Sequence, residues 1–157
     1  MSISQRLDEL GIQLPEVAAP VAAYVPARVH GDLVYTSGQL PFIDGALPTT
    51  GKVGGTVTAE QAQQLARTCA LNALAAAAAV AGGVDRIAGV LRVGGFVASE
   101  ASFTGQPGVV NGASEVLGEI FGEAGAHVRA AVGVSVLPID SPVEVDVVFT
   151  LAPLAAS

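Results

Sequence analysis

Tryptophan is absent from the 157 residues, and aromatic side chains of any kind make up only 4% of them. A core without indoles is filled by small and β-branched side chains, and alanine and glycine are abundant here. There is one cysteine, Cys69, so no disulfide can close within the chain and the redox compartment is not fixed by staples. Basic residues are scarce. Lys52 is the only lysine, the arginines are scattered, and the formal net charge is −7. Nucleic-acid binding is driven by phosphate neutralisation, which so acidic a chain with no basic stripe serves poorly. Attachment to an anionic membrane surface is disfavoured for the same reason. The longest apolar stretch, residues 73–81, is far too short to span a bilayer. The first ten residues are amphipathic and partly acidic and lack the apolar core of a signal peptide, so a cytoplasmic location is the expectation.

Half of the chain (51%) is hydrophobic and 13% is charged, a balance that folds rather than stays disordered. The length fits one domain, 1–157, with residues 1–20 as an N-terminal extension and 21–152 as the core. So little charge also implies that much of the surface is covered by other subunits. Residues 4–10 read as a short helix, capped by Ser2 or Ser4 and ended by Gly11. Residues 24–30 and 33–37 read as strands joined by Gly31-Asp32, a pair suited to a type II′ hairpin. Residues 41–57 read as a turn-rich loop with a short strand near its end. Residues 58–81 form the clearest helix. Thr58 and Gln61 make a capping box, an apolar stripe runs from Ala62 through Leu65, Cys69, Ala73 and Ala76 to Val80, and Gly82-Gly83 ends it. Ile87–Ala98 reads as a strand in which Gly94-Gly95 marks a bulge, and 108–122 as a helix with Val110, Leu117 and Phe121 on one side.

Two strands close the chain, flanking a Pro-Ile-Asp-Ser-Pro loop. Val132, Val134 and Val136 alternate with smaller or polar residues, as do Val143, Val145 and Val147. The first strand carries Arg129; the second, read as its neighbour, carries Glu144 and Asp146. An arginine on an apolar strand needs a partner, because an unpaired buried guanidinium is expensive. Either Arg129 forms a structural ion pair with Glu144 or Asp146, or its fork of donors awaits a planar carboxylate. The element order is that of an α+β fold, a mixed sheet with helices packed on one face.

Three segments resemble the RidA/YjgF family of reactive-intermediate imine deaminases. They are Ala23-Tyr24-Val-Pro followed by Ser37-Gly38-Gln39-Leu-Pro41, the helix from Thr58 with Asn72 near its middle, and Arg129-x-x-Val-Gly-Val-x-x-Leu137-Pro138 running on to Val143-Glu144-Val-Asp. The resemblance spans about residues 21–151 and lies nearest the chorismate-mutase-like, endoribonuclease L-PSP subgroup. It implies a chorismate-mutase-like fold with a mixed, mainly antiparallel sheet and two helices on one face, beside the extra N-terminal helix. It implies a homotrimer with clefts between subunits. It implies hydrolysis of 2-imino or enamino acids to 2-oxo acids and ammonia, with no cofactor. The family's carboxylate-clamping arginine corresponds to Arg129, and its tyrosine, serine-glycine and glutamate to Tyr24, Ser37, Gly38 and Glu144. Asn111 sits where members carry an asparagine opening the second helix. Where many deaminases have Cys, Ser or Thr, this chain has Ala131, whose backbone is expected to face the ligand.

An imine is electrophilic once protonated, so its hydrolysis needs a held substrate and a placed water more than acid–base machinery. On this view Arg129 and Glu144 are the catalytic pair, and Tyr24, Ser37, Gly38, Ala131 and Asn111 bind substrate. Tyr24 and Ser37 also suit plain packing and hydrogen bonding, Asn72 an internal hydrogen bond, and Cys69 a small core position. His30 and His127 are isolated and make a weak metal case, so no metal site is expected. Gly45-Ala-Leu-Pro-Thr-Thr-Gly51-Lys52 approaches a phosphate-binding loop, but Val53 replaces the magnesium-binding hydroxyl and Gly54-Gly55 follows where a helix should begin. The alternative functions are a catalytically silent trimer that binds a small carboxylate, an endoribonuclease, and a chorismate mutase. The acidic composition opposes the nuclease, and one arginine is few for a dicarboxylate.

Overall fold

The computed structural model of the protein describes residues 1–17 and 23–154. The expected boundary between extension and core, at 20/21, lies outside the described residues. Helix α1 (Ile3–Leu10) opens with a capping box between Ser2 and Gln5 and closes on Gly11 in the left-handed conformation. It is docked by polar contacts. The Ser4 main chain and hydroxyl donate to Asp85 at 2.7 and 2.8 Å, and Arg6 Nε donates to the Glu119 carbonyl at 2.9 Å.

Strands β1 (Ala27–His30) and β2 (Leu33–Thr36) form the expected hairpin, but β1 begins three residues later than the reading 24–30 and β2 ends one residue before 37, so Tyr24 and Ser37 lie outside the strands. Gly31 takes the positive φ of 61° that its turn requires. The loop that follows is fastened rather than free. Asn72 Nδ2 donates to the Leu40 and Phe42 carbonyls, and Val53 and Val57 are fully buried. The segment that approaches a phosphate-binding loop belongs to this turn structure, and no helix starts until Ala59.

Helix α2 (Ala59–Ala81) carries the Thr58–Gln61 capping box and ends on a left-handed Gly82. Its length and apolar composition would suffice to cross a membrane, which the 73–81 stretch alone does not suggest. Here its apolar side, including Leu65, Cys69, Ala73 and Leu74, is buried in the domain core. Helix α3 (Gln106–Phe121) packs beside it. It starts two residues earlier than its apolar pattern implies, because Pro107 sits in the first turn, where a missing N–H costs nothing.

Strand β3 (Ile87–Ala98) is the centre of a five-stranded mixed sheet ordered β1-β2-β5-β3-β4. Strand β4 (Val128–Val134) lies parallel to β3, and β5 (Val143–Leu151) antiparallel to it. Three expectations about β3, β4 and β5 are corrected. β4 and β5 are not neighbours, because β3 runs between them. β4 ends at Val134, so Val136 lies beyond it and is exposed. The irregularities in β3 fall between Ile87 and Gly89 and between Val90 and Arg92, whereas Gly94-Gly95 is regularly paired. Those two glycines serve close approach instead. A Cβ on Gly95 would meet Val110 of α3 at 2.4 Å, and one on Gly94 would meet Asp146 Oδ1 at 2.5 Å.

The register assigns faces. Val93, Gly95 and Val97 pair with Val147, Val145 and Val143 and with Arg129, Ala131 and Gly133. This row lies beneath the helices and is buried through β3 and β5. Arg92, Gly94 and Phe96 pair with Val148, Asp146 and Glu144 and with Val128, Ala130 and Val132, on the opposite, open face.

Candidate functional site

Arg129 lies on the edge strand, on the helix side, and is exposed. Three residues of successive α3 turns meet its guanidinium. Nη1 donates to Asn111 Oδ1 at 2.7 Å and to Ser114 Oγ at 3.2 Å, and Nη2 donates to the Pro107 carbonyl at 3.4 Å. All three partners are neutral. Among the described residues no carboxylate comes within ion-pair distance of Arg129, and Asp146 is instead held by Arg92 at 3.2 Å. A guanidinium has five N–H groups. Three are engaged, which leaves Nε–H and one hydrogen on Nη2 among the described residues. Two donors remain for an acceptor such as a carboxylate. Ala131, two residues on, packs its methyl against the core.

Ser114 connects further. Its hydroxyl lies 2.8 Å from His127 Nε2, and His127 Nδ1 lies 2.6 Å from the Gly125 carbonyl oxygen. The sequence alone gives no reason to single out these two residues. Spacing shows only that Asn111 and Ser114 share one side of a helix and that His127 and Arg129 share one side of an extended segment; that the two sides meet is a property of the fold.

Glu144 is elsewhere. Its register places it on the open face, one strand beyond β3, while Arg129 faces the helices. The carboxyl lies over Gly38. A Cβ there would stand 2.8 Å from Cδ and 2.9 Å from Oε2, so a side chain at position 38 would displace the carboxyl from this place. Main-chain bonds between Gln39 and Val145 hold this approach in place, at 2.8 and 3.0 Å. Burial raises the Glu144 pKa, and the negative charge of Asp146 adds to the rise. Burial also raises that of Asp146, against the lowering effect of Arg92. Ser37 donates its hydroxyl to the Val25 carbonyl at 2.6 Å, and Tyr24 is half exposed. The expected site residues therefore form two groups on opposite faces of one domain. Arg129, Asn111 and Ala131 make one. Gly38 and Glu144 make the other, with Ser37 on the same chain segment. Cys69 belongs to neither; it is fully buried, and burial followed by the charge of Glu144 pushes its thiol up. No cluster of three or more His, Cys, Asp or Glu suited to a metal ion occurs among the described residues.

The chain as a whole resembles a known set of proteins. The family model described as "YjgF/chorismate_mutase-like, putative endoribonuclease" matches residues 4–152. Protein TCP17 of Trypanosoma cruzi is 41% identical over 150 residues, which are 95% of this chain and 94% of that protein. The crystal structure of Atu1372 from Agrobacterium tumefaciens is 43% identical, with a TM-score of 0.86 over 96% of this chain and 92% of that one. That of a "putative endoribonuclease" of Shewanella oneidensis is 34% identical, with a TM-score of 0.91 over 96% of this chain and all of the other.

Proposed function

This chain belongs to the YjgF/chorismate mutase-like family, and from that premise we propose that it hydrolyses 2-imino acids to 2-oxo acids and ammonia in clefts between the copies of a homotrimer. The observation that carries this is the state of Arg129. A cation that meets only neutral groups among the described residues, with two N–H donors to spare, is suited to receive a carboxylate. Asn111 fixes the guanidinium, and the backbone at Ala131 borders the bound acid. Glu144 and Gly38 face away from Arg129 within one copy, so the site is composite. One copy supplies Arg129, Asn111 and Ala131, and its neighbour supplies Glu144, Gly38, Ser37 and Tyr24.

The chemistry asks little of the protein. Arg129 holds the carboxylate so that the adjacent C=N carbon faces the neighbour's Glu144. Fixing that geometry is worth several kcal/mol, on the order of 7–11 in favourable cases. As carboxylate, Glu144 accepts a hydrogen bond from the water that adds to the carbon. In its acid form, favoured by its raised pKa, it donates a proton to the departing nitrogen. The products are one 2-oxo acid and one ammonia per imine and water consumed, and no cofactor is required.

The test is ammonia release from 2-imino acids generated in situ by an amino-acid oxidase. The wild-type protein is expected to accelerate release over buffer. Arg129→Ala is expected to lower the rate by roughly two orders of magnitude or more, because a desolvated carboxylate loses its charged partner. Arg129→Lys does not restore it, since a point charge cannot reproduce the fork. Pyruvate binding without turnover would replace the enzyme with a carboxylate-binding trimer, and RNA cleavage lost in Arg129→Ala would replace it with a nuclease.

A further inference from the structure

We propose that Ser114 and His127 are positioning residues for Arg129, forming a hydrogen-bond chain whose every proton has a fixed direction. This rests on the proposed role of Arg129 as the carboxylate anchor. A carbonyl can only accept, so His127 Nδ1 carries the hydrogen that reaches the Gly125 oxygen at 2.6 Å. In the neutral imidazole Nε2 is then an acceptor. The hydroxyl 2.8 Å away has no choice but to donate to it. The lone pairs of Ser114 Oγ are thereby left for Arg129 Nη1 at 3.2 Å. The chain runs from arginine to serine to histidine and ends on the main chain of the turn that precedes β4. Together with Asn111 it engages both hydrogens of Nη1, so the guanidinium cannot turn about its Cζ–N bonds without breaking the chain.

An exposed arginine on an edge strand would otherwise sample many rotamers, and a ligand would have to order it. Holding the side chain beforehand removes that entropic cost from binding. The anchoring point supports this role. Gly125 is buried against Leu117 and Gly118 of α3, where a Cβ would meet the Leu117 carbonyl at 2.7 Å. The far end of the chain is thus tied to the same helix that carries Ser114.

Nitrogen-15 NMR of the assembled protein reads the chain directly. His127 is expected in the Nδ1–H tautomer, and the Nη signals of Arg129 are expected to be separated by slow rotation. Ser114→Ala and His127→Asn should each merge those signals while leaving the circular dichroism and the assembly unchanged. Each should raise the Kd for pyruvate and the KM for imino acids roughly tenfold with little change in kcat, as for a lost hydrogen bond to a charged group. The double variant should lose no more than either single one, since both break one chain. An Nε2–H tautomer, or variants whose Arg129 signals and pyruvate Kd match the wild type, would overturn the proposal. A wild-type protein that neither binds pyruvate nor releases ammonia sinks the imine reading instead, and the tautomer and the Arg129 rotation still decide the chain.

Discussion

Glu144 is the residue whose environment makes the most exacting demand. Its carboxyl lies against the Gly38 backbone, half out of water and beside a second acid, and its pKa rises above the ordinary 4.5 through burial first and the Asp146 charge second. A raised folded-state pKa means that the acid form is favoured by folding. The associated stability is fully present below the ordinary value and is lost as pH climbs through the raised one. Glu144→Gln should therefore gain stability relative to the wild type on going from about pH 4 to about pH 7. Urea midpoints at the two pH values measure this, and a gap that does not widen would mean that Glu144 is not penalised by burial. Gly38→Ala is expected to act differently. The new methyl meets the carboxyl group at 2.8 Å and displaces it, so deamination falls while the midpoint moves little. A wild-type rate in Gly38→Ala would show that the placement of Glu144 is irrelevant. At this scale the sequence reveals Arg129 through the motif that resembles the family's, since Arg92 is an equally lone cation on the apolar strand β3. It does not reveal Ser114 or His127, because a serine on a helix and a lone histidine have nothing unusual until the fold brings them together.

Among the elements, the ends of α2 and the β1–β2 hairpin are legible in the sequence, whereas the start of α3 and the neighbours of β4 and β5 are not. The capping box at Thr58–Gln61 and the stop at Gly82 are local chemistry, written within a few residues, and α2 obeys them. The strand Ile87–Ala98 is equally local in its alternation. Pairing is a long-range property. The short loop between β4 and β5 suggests a hairpin, yet α3 carries the chain across the sheet from β3, so β4 returns parallel to it and β5 pairs on its far side. That one strand of separation, with the register that puts them on opposite faces, is why Arg129 and Glu144 do not meet within a copy. The meaning of Gly94-Gly95 is hidden for a related reason, since the nearest atoms that a Cβ would meet there belong to Asp146 of β5 and Val110 of α3. The tightest such contact joins the two long helices: a Cβ on Gly112 of α3 would stand 1.9 Å from the Gln63 carbonyl of α2. Gly112→Ala should force α2 and α3 apart and cost about 1–3 kcal/mol by urea unfolding. A neutral substitution would mean that the two helices leave room for a methyl group at their crossing.

At the scale of the whole molecule, one copy leaves an apolar part of its sheet open. Tyr35, Val128 and Val132 are exposed apolar side chains on the open face, beside the half-buried Glu144. A closed ring of three copies would cover that face and bring each Arg129 to a neighbour's Glu144. Light scattering should give the mass of a trimer, and a stable, well-folded monomer would remove the shared cleft. The most direct measurement uses two disabled proteins. Arg129→Ala and Glu144→Gln, each with little deaminase activity, are unfolded together and refolded as a mixture. If the site is composite, about one interface in four joins an intact Arg129 to an intact Glu144, and the mixture recovers up to about a quarter of the wild-type rate. If mixed trimers form and the mixture stays as inactive as its components, Arg129 and Glu144 do not act across the interface, and the composite site is refuted.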